Sequence, residues 1–434
     1  AGAGPNDSSA GGASQSPFGS PTLTYDKEYP VIGYARTPQN NAIARLQSRI
    51  DRGEVKLQYR APRGYLDSLL QALEIDPSSQ ALVYSKTSLQ TGAIKAATPR
   101  AIYFNENTYV AWVQGVGENI ELAAMDSKLD QVFYILPNRP AGTARLQRKV
   151  LDCLACHDTY ELSGGGVPRF LLMSTYTDIL GNQLTHEGQI ITSDQTPLKF
   201  RWGGWYVTGE SGNQVHLGNI QVRTVNELVH LDQVRRGNLD KLDGLFNTQP
   251  YLTDKSDIVA LLVLQHQVDV QNLITRVNFE VREALAKAGK GRSGTELPEK
   301  TREDLKGYMD SLVDAMLFVG ATRFTSKITG NSGFNAWFEA QGPRDGLGRS
   351  LRDLDLTTRL FKYPLSYLVY SASFDALPDY AKSYIYGRFA DILTGHDASD
   401  TYSFLSDSDR KAILEILTVT KPAFAQFLAR KGAA

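Results

Sequence analysis

Cysteine is almost absent from the 434 residues: Cys153 and Cys156 are the only two. A disulfide scaffold is thereby excluded. Methionine is scarce as well, with four residues, which leaves few thioethers for a metal to find. No apolar run approaches the roughly 20 residues that cross a bilayer as a helix. The longest candidate, residues 258–264, is far too short. Charge of one sign is not in excess either, since 46 Lys and Arg stand against 47 Asp and Glu for a formal net charge of −1. Nothing in that balance points to nucleic acid or to an anionic membrane surface. What remains is 42% hydrophobic and 21% charged residues, the profile of an ordinary soluble globular chain with enough length for a substantial core.

The order of residue types along the chain predicts four regions. Residues 1–24 are small and polar, without an initiator Met or a hydrophobic stretch. They read as the flexible tail of an exported, processed chain, able to act as a tether to a membrane or a complex. Residues 25–140 read as an α+β region. Helices are expected over 38–52 and 65–73, followed by short β-branched and aromatic runs at 81–84, 101–104, 108–113, 120–122 and 131–136. Asn105-Glu-Asn107 suits a hairpin turn between two of these runs. Residues 141–255 carry the two cysteines and are rich in glycine and aromatics. Residues 256–434 read as helical, with segments at 256–287, 297–317, 353–361, 381–393, 406–418 and 422–430. The expected fold is α+β and mainly helical, with a small antiparallel sheet before the cysteines and a helical C-terminal half.

Cys153-Leu-Ala-Cys156-His157 is a C-x-x-C-H motif, the attachment signature of c-type haem. The spacing has a chemical reason. Two thiols three positions apart reach the two vinyl groups on one edge of a porphyrin, and the next residue offers an imidazole to the iron from the same side. Histidine is the usual proximal nitrogen donor. A thioredoxin-like C-x-x-C would need a βαβ setting, and a Cys₂His₂ zinc site would need an H-x₃₋₅-H pair that the chain lacks. One covalent haem c with His157 as proximal ligand is the expectation. It carries export to a periplasm or cell surface with it, because c-haem attachment is completed outside the bacterial cytoplasm.

Residues 145–160 resemble the haem-binding stretch of bacterial c-type cytochromes. Two further strings resemble a family of large, single-haem exported bacterial proteins. One is Arg201-Trp-Gly-Gly-Trp-Tyr-Val-Thr-Gly209 with His216-Leu-Gly-Asn219, and the other is Gly342-Pro-Arg-Asp345 with Ser350-Leu-Arg-Asp353. The resemblance implies a haem and no particular reaction.

The second axial ligand is open at this level. Met173 follows the motif by 16 residues, while Met309 and Met316 share a helix face and Met125 lies in the strand region. Among the histidines, His266 interrupts an aliphatic helix face and His216 sits in a Gly- and Asn-rich segment. His266 reads as a hydrogen-bonded core residue or as a haem-pocket ligand, and His216 as a loop contact or as a haem-pocket group; as distal ligand His266 or His216 is preferred, with Met173 as runner-up. His186, His230 and His396 read as surface residues. Trp202, Trp205 and Tyr206 are expected to pack near the porphyrin or in the main core, and Arg201 and Arg223 to meet its propionates or to form surface ion pairs. Electron transfer with a redox partner protein is the leading function. The alternatives are a haem enzyme of peroxidase or oxygenase type acting on a small molecule, with His216, His266, Gln267 and Glu210 on the distal side, or a haem subunit of an extracytoplasmic assembly.

Overall fold

The computed structural model describes residues 29–433 except 89, 116–117, 158–165, 185, 187, 226–227, 231–236 and 290–296. Side chains at 223–225 and 228–230 are likewise outside the description, so the expectations for the tail, for Arg223 and for His230 fall beyond it.

The fold is α+β. Two short helices, α1 (Ala42–Asp51) and α2 (Leu66–Ala72), precede the sheet. Asn41 starts α1 by accepting the amides of Ile43 and Ala44, and Ile43, Leu46 and Ile50 put one apolar stripe into the core. The strands then follow almost where β-branched and aromatic residues cluster: β1 (Ala81–Val83), β2 (Arg100–Phe104), β3 (Thr108–Trp112), β4 (Asn119–Asp126) and β5 (Asp130–Pro137). Asn105 closes the β2–β3 hairpin by accepting from the amides of Asn107 and Thr108. β6 (Gln147–Lys149) joins one edge.

Beyond β6 come α3 (Leu151–His157), β7 (Met173–Thr175), β8 (Gln189–Ile191) and β9 (Trp205–Tyr206). β9 pairs with β1, so the seven-stranded antiparallel sheet runs β6-β5-β4-β3-β2-β1-β9. β7 and β8 form a separate pair, as do β10 (Arg223–Val225) and β11 (Leu228–His230).

The C-terminal half is helical: α4 (Ile258–Lys287), α5 (Glu299–Met316), α6 (Phe334–Glu339), α7 (Ala372–Asp375), α8 (Asp379–Leu393), α9 (Asp407–Thr420) and α10 (Pro422–Ala433). Asp257 caps α4 through the amides of Val259 and Ala260. This helix is about 45 Å long and buried over most of its length, because the sheet lies on one side of it and other helices pack around it. Its polar residues meet the sheet hairpins directly. Gln271 accepts from Tyr109, Thr275 donates to Gln131, and Asn278 donates to Asp130.

One expected helix, over 353–361, is a loop. Asp355 turns its carboxylate onto the amides of Thr357, Thr358 and Arg359, and Leu356 adopts a left-handed φ of 63°. An Asx-type turn of this kind competes with helix for the same backbone donors. Among the described residues no single helix is long and apolar enough to cross a membrane. α9 and α10 reach that length only as a pair bent by 108°.

Candidate haem-attachment site

The chain leaves the sheet edge at β6 and turns at once into α3, which Leu154 anchors in the core without exposed surface. Helical geometry places Cys156 about 60° from Cys153 around the axis and His157 about 40° to its other side. All three therefore share one face. Cys153 is half-buried, Cys156 is exposed, and both thiols are free.

His157 is held on one side only. Its Nδ1 lies 2.6 Å from the carbonyl oxygen of Arg169, while the Arg169 amide donates back to the His157 carbonyl at 2.9 Å. The ring packs on Phe133 of β5 at 4.6 Å between centroids and stands edge-on to Phe170 at 6.4 Å. Burial pushes the imidazole below its ordinary pKa, so it is neutral near pH 7. A carbonyl only accepts, so Nδ1 carries the proton and Nε2 keeps its lone pair. Nε2 has no hydrogen bond among the described residues. A neutral imidazole with its far nitrogen tied to a carbonyl is the arrangement of a metal-ligating histidine. These residues fit a covalently held haem: two accessible thiols and a nitrogen donor on one helix face.

The competing cysteine chemistries fit less well. Burial pushes the Cys153 thiol up to about 12, helped by the nearby charges of Glu121 and Asp152. A redox C-x-x-C instead depends on a depressed thiol pKa. A zinc site would need further ligands around the cysteines, and no group of three or more His, Cys, Asp or Glu suited to a metal occurs among the described residues.

The structure places several expected site residues in the core. β9, with Trp205 and Tyr206, forms the edge of the sheet opposite β6. Trp205 is buried there, its indole N–H donating to the Met173 carbonyl at 2.9 Å, and Tyr206 packs on Tyr84 and Phe246. Trp202 packs edge-on against His216. Arg201 is buried, but its Nε and Nη2 donate to the carbonyls of Thr196 and Asp194, which leaves its expected propionate role without support in this geometry.

The two preferred distal histidines need correcting on the chemistry of their nitrogens. His216 is 9% exposed, and its Nδ1 accepts from the Gly218 amide at 3.0 Å. That bond fixes the proton on Nε2, the wrong tautomer for iron binding through Nε2. Burial lowers its pKa to about 4. His266 has no exposed surface. Its Nδ1 lies 2.6 Å from Asp194 Oδ2 and its Nε2 2.8 Å from Ser366 Oγ, with the ring stacked on Phe318 at 4.2 Å. With Nδ1–H donating to Asp194, the Nε2 lone pair accepts the Ser366 hydroxyl, so no lone pair is left open to iron. The Asp194–His266–Ser366 row has the connectivity of a hydrolase triad, yet Ser366 is fully buried and its oxygen also accepts the Leu368 amide, which closes it to a substrate.

Met125, Met309 and Met316 are core residues, whereas Met173 is half-buried, its sulfur 3.9 Å from Gln189 Nε2. Met173 is the one thioether outside the core among the described residues. Gln267 is buried and donates to the Asn105 carbonyl and to Tyr109, and Glu210 is exposed. His186 and His396 are exposed, as expected.

The sequence reading missed Phe133, Phe170 and the Arg169 carbonyl, which hold the His157 ring. It also missed a row of side chains running from His157 into the core. Phe170 packs on Tyr109 at 4.6 Å, Gln267 joins the Tyr109 and Tyr367 hydroxyls, and Tyr367 packs 6.2 Å from His266. A main-chain acceptor has no signature in sequence. The aromatic positions read only as core.

Compared with family models, with curated proteins and with solved structures, the chain has no match.

Proposed function

We propose that this chain is an exported mono-haem c-type cytochrome that transfers electrons, with the haem held by Cys153 and Cys156 and ligated by His157. The observation that carries the reading is the Nδ1–H···O bond from His157 to Arg169, which directs a neutral imidazole's free nitrogen away from the protein backbone. When bound, the haem would supply a one-electron couple at its iron. The protein residues fix the imidazole, exclude water on the Phe133 and Phe170 side, and leave Cys156 open to solvent. Attachment of this kind places the protein in a periplasm or at a cell surface, with a redox protein as its partner.

The test is intact mass. The purified chain should weigh one haem more than the polypeptide, and the increment should survive acid–acetone extraction. A bare-chain mass from cells with a working c-haem maturation system sinks the proposal. His157→Ala should keep the thioether-bound haem and lose the proximal-histidine spectrum.

A second reading, a haem enzyme, draws on a specific observation. The lone pairs of His216 and His266 are both engaged by donors of the protein, so among the described side chains Met173 is the remaining expected candidate for the sixth position. The spectrum with and without CO separates the two. Slow or absent CO binding with a Met-type band lost in Met173→Ala favours the carrier, and fast CO binding favours the enzyme.

A further inference from the structure

A second site lies away from the motif, in a cleft of about 270 Å³ between the 194–201 segment, α4 and the loops after α5. Its walls are mostly rings and aliphatic chains, with Phe318, Phe324, Phe361, Phe404 and Leu262 prominent. Five polar side chains interrupt that lining: Asp194, Arg201, Thr322, Arg323 and Arg359. A closed apolar cavity of ~150 Å³ is enough to hold benzene, so this cleft has room for one ring and its substituents.

Asp194 and Arg201 are each anchored, and each has capacity left. Asp194 receives His266 on Oδ2, and its Oδ1 has no hydrogen bond among the described residues. Arg201 is 3% exposed and donates through Nε and Nη2 to two carbonyls, with no hydrogen bond at Nη1 among the described residues. No carboxylate lies within ion-pair distance of Arg201 among those residues, an unusual state for a guanidinium this deeply buried. The opposite charges of the pair select against ions: a carboxylate ligand meets Asp194, and an amine meets Arg201. Of the other two guanidinium groups in the lining, Arg359 is neutralised by both carboxylate oxygens of Asp409, and Arg323 is exposed to solvent. A hydroxyl group satisfies both anchors, donating to Asp194 and accepting from Arg201.

We infer that this cleft binds a single-ring phenol, its ring among the phenylalanines and its hydroxyl between Asp194 and Arg201. The inference uses no feature of the C-x-x-C-H motif and stands apart from the haem reading. Calorimetric titration of the full-length protein with phenol, toluene and benzoate tests it. Phenol should bind at least tenfold more tightly than either of the others. Ala321→Trp, at the half-buried rim of the cleft, should abolish phenol binding while leaving the circular dichroism unchanged. Asp194→Asn should weaken binding tenfold or more. Should that variant fail to fold, the rim variant and the ligand series still decide. Equal binding of toluene and phenol, tighter binding of benzoate, phenol binding unaffected by Ala321→Trp, or no phenol binding at all would each overturn the proposal.

Discussion

His157 and His266 both pack against phenylalanine rings, and they differ in what is left of the imidazole. His157 gives one nitrogen to a main-chain carbonyl and keeps the other, at the surface end of a short helix beside two free thiols. His266 gives one nitrogen to a carboxylate and the other to a hydroxyl, in the middle of the longest helix. A histidine inside an aliphatic face looks like a ligand in sequence because a buried polar ring needs a partner. The partners turn out to be Asp194, 72 residues away, and Ser366, 100 residues away. The lesson is that an isolated polar residue in a core pattern announces a bond without saying to what.

The largest effect that can break this comparison is on stability. His266→Ala should remove a packed ring and leave the Asp194 and Ser366 groups facing a void. A loss of about 3–5 kcal/mol is expected, as for other large-to-small changes compounded by orphaned polar groups. Denaturant titration measures it. The same substitution should leave the haem mass and the axial-ligand spectrum of the folded fraction intact. If the spectrum changes while stability holds, His266 is a ligand after all and the contrast with His157 collapses.

Much of the architecture was legible from sequence. β1 to β5 and the helices at 42–51, 258–287, 299–316 and 407–420 follow from period and capping residues such as Asn41 and Asp257. The motif declared itself through its spacing. What escaped was everything set by long-range pairing. β9 looks like part of an aromatic loop, and only its ladder to β1 moves Trp205 to the edge of the sheet opposite β6. The loop at 353–361 has helical-looking spacing, and Asp355 redirects it with three side-chain bonds to the backbone. His216 sits in a segment that suggested close approach to a cofactor, and the close approach is to the Gly218 amide.

That third imidazole sharpens the comparison through pH. Burial pushes His216 from an ordinary 6.5 down to about 4. As pH falls, the unfolded chain takes up this proton first, so the unfolded state binds more protons than the folded one. The stability that His216 contributes is present above pH 6.5, declines as pH falls, and is gone near pH 4. The interval amounts to roughly 3 kcal/mol. His216→Asn, whose side-chain carbonyl can still accept the Gly218 amide, should flatten the stability profile between pH 6.5 and 4. An unchanged slope would mean that the site admits water and the ring is not desolvated.

The smallest expected effect concerns Trp205, and it distinguishes the two sheet edges. Trp205→Phe keeps an aromatic ring beside β1 and removes one N–H donor from the Met173 carbonyl. The lost bond is worth about 1 kcal/mol, with a small addition for the narrower ring. Trp205 lies on the sheet edge opposite β6, and its hydrogen bond to the Met173 carbonyl steadies that backbone. If Met173 does not bind iron, the haem spectrum of Trp205→Phe matches the wild type and only the unfolding midpoint moves. If Met173 is the sixth ligand, freeing its carbonyl loosens the thioether, and the Met–iron band weakens in step with the stability loss.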